Sequence, residues 1–491
     1  MESLVISDQP ARRTALDLSR SFIVQAPAGS GKTELLIQRY LALLSSVVIP
    51  EEIVAITFTR KAAAEMRHRV IDALKQAESD AIPVDEHKKQ TFRLAKKALA
   101  RNKDQGWQLI DQPQRLKIDT LDALNLSLAH QLPILSGGIA KSKVIEDGEH
   151  KAFYSLVSHR LVQQLDQGTP VSESLEMILR HLNLSSERLQ KLLESLLSSR
   201  AQWLEYIATD DAEKLIISLE NATQNLINDE LVSIQDAIPR HVLDEIIPLL
   251  SYAATHAKKL TNLGGFQAWL ELKSLPEPCW QNLKVWQALP ELLLTKSMKW
   301  RKRLGDVGFT DKDDLMRDRL KDLISECETN KTLHSALEEL AELPRPLLDS
   351  SEKSVLKAFF NVLVFMVAEL KLIFEERNTV DFVEIGIAAK TALGDASDPS
   401  ELLLALDRRI RHLLIDEFQD TSQAQIKLLE LLTSGWQSQD GRTVFLVGDP
   451  MQSIYRFRNA EMSLFLSTQR YGLGGISCES LILKTNFRSA P

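Results

Sequence analysis

Residues 26–33 read Ala-Pro-Ala-Gly-Ser-Gly-Lys-Thr, and this segment decides the fold. A short apolar run, Phe22 to Val24, precedes it, and a helical pattern of leucines follows it. A strand, a glycine-bearing loop and a helix in this order are the setting of a phosphate-binding loop, because backbone N–H groups that no Cβ obstructs can surround phosphate oxygens. Lys32 would reach the β- and γ-phosphates, and the Thr33 hydroxyl would ligate Mg²⁺. The predicted nucleotide-binding residues here are Ala26, Pro27, Ala28, Gly29, Ser30, Gly31, Lys32 and Thr33.

A second segment, Leu413-Leu-Ile-Asp-Glu-Phe-Gln-Asp-Thr-Ser422, runs from apolar residues directly into two carboxylates. This pattern predicts a buried parallel strand that ends at an active site. Asp416 would hold Mg²⁺, and Glu417 would take a proton from an attacking water. Gln419 and Asp420 add polar groups at the same edge. Taken alone, the segment is also compatible with a strand that has acidic residues at its exposed end.

A third segment is Val447-Gly-Asp-Pro-Met-Gln-Ser-Ile-Tyr-Arg-Phe-Arg-Asn-Ala460. The predicted strand ends before Pro450, which favours a turn. Gln452 would then be placed to sense a γ-phosphate. Tyr455 and Phe457 alternate with arginines, a pattern suited to stacking unpaired bases while contacting phosphates. The alternative for these aromatics is a packed junction between a strand and a helix.

Strand signals fall in two blocks, which predicts an α/β fold with a split parallel sheet and a large all-α insertion. The first block contains Phe22–Val24, Ile53–Thr57 and Leu116–Ile118, and the second contains His412–Ile415, Thr443–Val447 and Leu481–Leu483. Between them the chain is rich in leucine and glutamate at helical spacing. We therefore predict a core segment at 1–129, a helical insertion at 130–375 and a second core segment at 376–491.

Composition excludes several classes of protein. With 59 Lys and Arg against 67 Asp and Glu, the net charge of −8 is not that of a basic nucleic-acid coat, although a local positive groove would still allow DNA binding. Three isolated cysteines provide no zinc or iron–sulfur spacing and no disulfide framework, which suits the cytoplasm. The N-terminus does not resemble a signal peptide. The longest apolar run, Ala358 to Ala368, is too short to span a membrane and predicts a buried helix.

Taken in order, these segments resemble the motifs of the superfamily 1 DNA helicases of the UvrD/Rep/PcrA group. The long insertion is similar to that of the RecB/AddA helicase–nuclease branch. The matching motifs are I (Ala26–Thr33), Ia (Ala55–Met66), II (Leu413–Ser422), III (Val447–Ala460) and IV (Lys484–Ser489), and Asp381-Phe382 resembles a further family element.

The resemblance implies a RecA-like P-loop NTPase that uses ATP and Mg²⁺ to move 3′→5′ on single-stranded or partly duplex DNA, in repair or recombination and with a possible protein partner. Gln9 would clamp adenine, although an ordinary surface glutamine is the alternative. Gln452 and Arg488 would contact the γ-phosphate, and Lys32 and Glu417 would serve catalysis. The residues expected to line the DNA path are Phe58, Tyr455 and Phe457. Arg67 and Arg69 are explained equally well by DNA contact or by a solvated helix face.

Some positions depart from the family pattern. Ala26 replaces the usual first glycine, and Glu34 stands where an arginine often helps to hold the nucleotide. Thr120-Leu-Asp-Ala-Leu124 differs from the common motif Ib, which puts that DNA contact in doubt.

Motif IV is followed almost at once by Pro491. We therefore expect the first part of a motor, without the arginine finger of motif VI. We expect nucleotide binding without efficient DNA-stimulated hydrolysis or strand separation by residues 1–491 alone. The alternative is a stand-alone remnant that binds nucleotide or DNA without motor activity.

Overall fold

A parallel sheet is the central element of the strand-containing part of the fold. The computed structural model describes residues 8–80, 82–83, 86–131, 142–145, 148–209, 211–256, 263–310, 315–452 and 462–487. The strands in chain order are β1 Phe22–Gln25, β2 Ile53–Thr57, β3 Lys117–Thr120, β4 Lys143–Val144, β5 Thr379–Val380, β6 His412–Ile415, β7 Thr443–Gly448 and β8 Glu479–Ile482. In the described residues six of them form the main sheet in the order β3-β2-β6-β7-β1-β8, and β4 pairs with β5 separately. Every pairing between these strands is parallel.

Burial explains why the central strands are mostly apolar. All residues of β6 and β7 are buried, as expected for strands covered on both faces. Side chains alternate between the faces, so that Leu414 joins one core cluster while Leu413 and Ile415 join another. The edge strand β3 instead alternates exposed and buried residues. The predicted α/β fold with a parallel sheet is therefore confirmed.

Helices cover the sheet and make up the remaining structure. The helices are α1 Gln9–Thr14, α2 Lys32–Leu44, α3 Arg60–Glu78, α4 Glu86–Asp104, α5 Leu121–Gln131, α6 His150–Val162, α7 Pro170–His181, α8 Ser186–Ser198, α9 Arg200–Thr209, α10 Ala212–Ala237, α11 Arg240–His256, α12 Leu263–Ala268, α13 Leu283–Trp286, α14 Ala288–Leu293, α15 Leu315–Cys327, α16 Lys331–Glu342, α17 Ser350–Arg377, α18 Phe382–Leu393, α19 Glu401–Arg409, α20 Gln423–Leu432 and α21 Met462–Tyr471. Residues of α2, α3 and α4 pack in the first core cluster, and residues of α5, α18, α19, α20 and α21 pack in the second.

The chain divides into two compact units. The first comprises Met1–Gln163, Ser186–Glu205 and Met366–Pro491, and it contains the main sheet. The second comprises Gln164–Ser185 and Tyr206–Phe365, and its core is helical and includes two fully buried tryptophans, Trp269 and Trp286. The predicted domain limits at residues 129 and 375 stay a prediction.

Two local expectations differ from the structure. The run Ala358–Ala368 lies in α17, but only one stripe of it is buried: Val362 is fully buried, whereas Val364 is 51% exposed. An amphipathic helix thus replaces the expected buried one. The two-residue strand β4 also lies where only helices were expected. No helix in the described part of the chain is long and apolar enough to cross a membrane.

Candidate nucleotide-binding site

The candidate site lies at the carboxyl edge of the main sheet. Gln25 of β1 lies beside Gly448 of β7, and Ile56 of β2 lies beside Ile415 of β6. Since parallel strands all end at one edge, the loops that follow these strands begin side by side. Motifs I, Ia, II and III include the beginnings of those loops, so the sheet register brings together segments that are far apart in the chain.

The phosphate loop runs from β1 to α2. Gly29 and Gly31 have φ values of +77° and +79°, a conformation that side chains rarely adopt. Gly31 directly precedes Lys32, the first residue of α2. Ala26 is fully buried, and its N–H donates to the carbonyl of Gly448 at 2.9 Å. Ala26 therefore extends the ladder between β1 and β7, and a glycine is not needed at this position.

Lys32 is paired with Glu417. The Nζ atom of Lys32 lies 2.5 Å from Oε2 of Glu417. Nε2 of Gln419 donates to the same carboxylate oxygen at 2.9 Å. Glu417 has a φ of +52°, which is uncommon outside glycine, and its N–H donates to Oδ1 of Asp416 at 3.0 Å. This tight turn after β6 directs the Glu417 carboxylate at the loop lysine.

Asp416 and Thr33 face the same cleft. The cleft has a volume of about 330 Å³, and its lining includes both residues together with Glu417 and Gln452. Burial raises the pKa of Asp416 to about 6, with the Glu417 carboxylate contributing to this rise while Lys32 opposes it. Mg²⁺ usually takes one or two carboxylates and keeps waters and substrate phosphates as its other ligands. One carboxylate and one hydroxyl on a shared cleft therefore fit this ion.

Gln419 connects the loops that follow β6 and β7. Its side chain, only 2% exposed, donates to Glu417, and its Oε1 accepts from the N–H of Asp449 at 2.9 Å. Gln452 in turn donates to the Asp449 carboxylate. Asp449 is not among the residues predicted for the site. Its place directly after the buried strand β7 is the signal that could have identified it.

Glu34 contacts a neighbouring helix. Oε1 of Glu34 accepts from the hydroxyl of Thr91 on α4, and that hydroxyl also accepts from Nε2 of Gln38 at 3.0 Å. Glu34 thus helps to join α2 to α4. The departure from the family pattern at this position serves packing between two helices.

The comparison with known families agrees with this geometry. A profile of the UvrD/REP helicase N-terminal domain matches residues 8–471. The chain belongs to this family. The resemblance inferred from the motifs is therefore confirmed, and the parallel sheet with its phosphate loop is the part of the fold that carries those motifs.

Several curated bacterial proteins, each named as a subunit of an ATP-dependent helicase/nuclease, are similar to the chain. The protein of Lysinibacillus sphaericus is 27% identical over 90% of this chain and 35% of its own length. That of Ligilactobacillus salivarius is 25% identical over 98% and 37%, and that of Oceanobacillus iheyensis is 26% identical over 95% and 37%. The chain thus spans about a third of the length of the relatives that it matches.

Other predicted site residues have varied placements. Gln9 is exposed at the start of α1. Phe58 follows β2 and lines the same cleft as Asp416. Tyr455, Phe457 and Arg488 lie outside the described residues, so their predicted roles stay predictions.

Arg67 and Arg69 on α3 both contact acidic residues. Nη2 of Arg67 lies 3.0 Å from Oδ1 of Asp119, and Arg69 pairs with Glu65. These contacts occur on the helix surface and leave both of the earlier interpretations open.

Two residues close to Gln9 were missed by sequence reasoning. Asp8 and Arg12 are 4% and 6% exposed and form an ion pair of 2.9 Å. Their spacing of four residues suits one turn of helix, but it occurs on many solvated helices. The sequence therefore contains no signal that separates this buried pair from an ordinary surface pair.

Proposed function

We propose that the chain is the ATP-binding part of an ATP-dependent DNA helicase. The observation that carries this proposal is the convergence of the phosphate loop, Asp416 and Glu417 at one cleft, with Lys32 already hydrogen-bonded to Glu417. Phosphate-binding loops of this form bind nucleoside triphosphates, and family membership and the names of the curated relatives support ATP as the nucleotide.

Each polar group of the cleft has a chemical task in this proposal. Lys32 and the loop amides would bind the phosphates, and Thr33 and Asp416 would hold Mg²⁺, which neutralises phosphate charge when it is bound. Glu417 would accept a proton from the attacking water. Gln452, fixed by Asp449, would contact the γ-phosphate, as would Arg488.

The ion pair between Lys32 and Glu417 suggests that phosphate binding precedes the action of Glu417 as a base. While Lys32 donates to Glu417, the carboxylate is engaged by the lysine charge and faces the lysine instead of a water. An arriving triphosphate competes for Lys32 and leaves Glu417 with Gln419 as its partner. Binding of the phosphates would thereby free the base that the reaction requires.

DNA is the proposed track of the motor. Phe58 on the cleft and the aromatics Tyr455 and Phe457 would stack unpaired bases. We place the movement in the 3′→5′ direction and the task in DNA repair or recombination in the cytoplasm. The word "subunit" in the relatives' names favours a protein partner.

Calorimetry with Mg²⁺–ATP and fluorescence anisotropy with labelled single-stranded DNA test the proposal. We expect saturable binding of both ligands, and we expect ATP to change the DNA affinity because both sites share the loops of one sheet edge. Streptavidin displacement from oligonucleotides biotinylated at either end tests the direction of movement. A folded chain that binds no Mg²⁺–ATP would contradict the proposed function.

A further inference from the structure

A buried ion pair lies directly beneath the phosphate loop. Nε of Arg12 donates to Oδ1 of Asp8 at 2.9 Å, and Nη2 of Arg12 donates to Oδ2 at 3.2 Å. This two-bonded geometry is the strongest that arginine forms with a carboxylate. Burial tends to raise the pKa of Asp8, but the Arg12 guanidinium and the amides of Thr485 and Lys484 hold that pKa at about 2. The Asp8 carboxylate is therefore ionised at neutral pH.

Arg12 also holds the phosphate loop. Its Nη2 donates to the carbonyl of Ser30 at 2.5 Å. In a planar trans peptide the C=O and the following N–H point in opposite directions. Because Arg12 holds the Ser30 carbonyl, the N–H of Gly31 points away from Arg12. In this orientation the N–H can donate to a phosphate oxygen bound by the loop.

Asp8 connects the same pair to the segment 484–487. Its Oδ2 accepts from the N–H groups of Lys484 and Thr485 at 2.8 and 3.0 Å. The hydroxyl of Thr485 donates to Oδ1 at 3.1 Å. One carboxylate thus fixes the chain directly after β8, where motif IV begins.

Phe487 also contacts the loop and packs against Arg12. Its N–H donates to the carbonyl of Gly29 at 2.8 Å, and its ring centre lies 5.1 Å from the Arg12 guanidinium carbon. A Cβ added at Gly31 would lie 3.5 Å from both Arg12 and Phe487. Arg12 and Phe487 therefore pack together against the loop at Gly31, and two carbonyls of the loop, those of Ser30 and Gly29, accept hydrogen bonds from them.

We infer that Arg12 is a positioning residue that orients the phosphate loop, and that Asp8 couples this orientation to the motif IV segment 484–487. The inference rests on the proposed function, because it concerns the affinity of the same loop for phosphates. It assigns a role to two residues that are neither part of the cleft lining nor candidate metal ligands.

Phosphate affinity is the quantity that separates positioning from a merely structural role. We expect Arg12→Met to lower the affinities for Mg²⁺–ATP and for tripolyphosphate by a similar factor, roughly ten-fold, because both ligands bind to the loop amides. Asp8→Asn keeps the shape of the side chain and should also lower both affinities, by a smaller factor. Hydrogen exchange should become faster at residues 484–485 and at the loop in both variants.

Arg115→Met is the matched control. Arg115 also pairs with a carboxylate, Glu51 at 2.9 Å, and donates to a carbonyl, that of Trp107, but Glu51 lies just before β2 at the opposite edge of the sheet. We expect this variant to melt at a lower temperature with unchanged phosphate affinity.

The outcomes separate the inference from the function on which it rests. Folded Arg12→Met with wild-type affinity for tripolyphosphate overturns the inference alone, while loss of binding in Lys32→Ala still supports the proposed function. If Arg12→Met does not fold, unchanged affinity in Asp8→Asn overturns it. Wild-type protein that binds neither ligand overturns both.

Discussion

The ammonium group of Lys32 and the carboxylate of Glu417 meet at 2.5 Å although 385 positions separate them in the chain. Their contact joins the phosphate loop to the turn that follows β6. In this contact each group satisfies much of the other's charge. Any ligand that binds the Lys32 ammonium group must therefore break this ion pair. A change in the contacts of one of the two residues then changes the contacts of the other.

Removal of the loop lysine should abolish nucleotide binding. Lys32→Ala deletes the charge that would meet the phosphates and leaves Glu417 facing them, so we expect no Mg²⁺–ATP binding by calorimetry. Lys75→Ala, at an exposed position in the last turn of α3, is the control and should bind as wild type. Unchanged affinity in Lys32→Ala would count against the assignment of the loop.

Neutralising Glu417 should have the opposite effect on affinity. Glu417→Gln removes the charge that competes for Lys32, while the amide oxygen can still accept from Gln419. For a partly exposed pair we expect Mg²⁺–ATP to bind roughly two- to five-fold more tightly. Titration with a fluorescent ATP analogue measures this. Weaker binding in the variant would show that Glu417 does not restrain Lys32.

The motif III aromatics should contribute to DNA binding. We expect replacement of Tyr455 and Phe457 by Ala to cost roughly 1–3 kcal/mol per stacked base in single-stranded DNA affinity. Affinity should fall with salt in wild type, as counterion release requires. Tyr471→Ala, which removes a 73% exposed aromatic from the end of α21, is the control. If the double variant bound DNA like wild type, these aromatics would belong to the core.

The lack of a side chain at Gly448 should be necessary for Gln419 to keep its position. A Cβ at Gly448 would lie 2.5 Å from Oε1 of Gln419 and 3.0 Å from the Phe465 ring. We expect Gly448→Ala to lower the free energy of unfolding by roughly 1–3 kcal/mol. We also expect it to weaken the binding of Mg²⁺–ATP, because Gln419 is hydrogen-bonded to both Glu417 and Asp449. Gly305→Ala, whose nearest atom would be 4.0 Å away, should change neither quantity appreciably.

His412 should make stability depend on pH. Burial, together with the nearby charges of Arg39 and Arg411, lowers the pKa of His412 to about 4. The unfolded chain, with a histidine pKa of about 6.5, then binds more protons than the folded chain between pH 6.5 and 4. Stability should therefore fall as the pH drops through this window, by up to about 3 kcal/mol from this residue.

Urea unfolding at several pH values tests this sign. Between pH 6.5 and 4 wild type should lose up to about 3 kcal/mol more unfolding free energy than His412→Leu, since the raised pKa of Asp416 opposes the loss equally in both proteins. Because the ring of His412 is hydrogen-bonded to Thr443 at 2.8 Å, the variant should also be less stable at pH 7. Identical slopes for the two proteins would show that another group accounts for the pH dependence.

Strongly patterned strands were predictable to within a residue or two. Ile53–Thr57 and His412–Ile415 match the structure at both ends, since each is a short and mostly apolar run between charged or polar residues. The strand predicted at Leu116–Ile118 is found at Lys117–Thr120. The prediction missed its true limits because β3 is an edge strand in which polar residues alternate with apolar ones. The run Ala358–Ala368 was misjudged because a continuous apolar stretch does not tell how much of a helix its neighbours cover.

The sequence by itself determined the family, the parallel α/β sheet and the identity of the loop, lysine and acidic pair, because these depend on local order: strand, glycines, helix, and strand followed by carboxylates. Only the tertiary structure decided that Lys32 pairs with Glu417, that Glu34 turns to α4, and that Asp8 and Arg12 join the loop to residues 484–487. The physical reason is that the register of parallel strands sets which loops become neighbours, and a register is a property of pairings between distant segments.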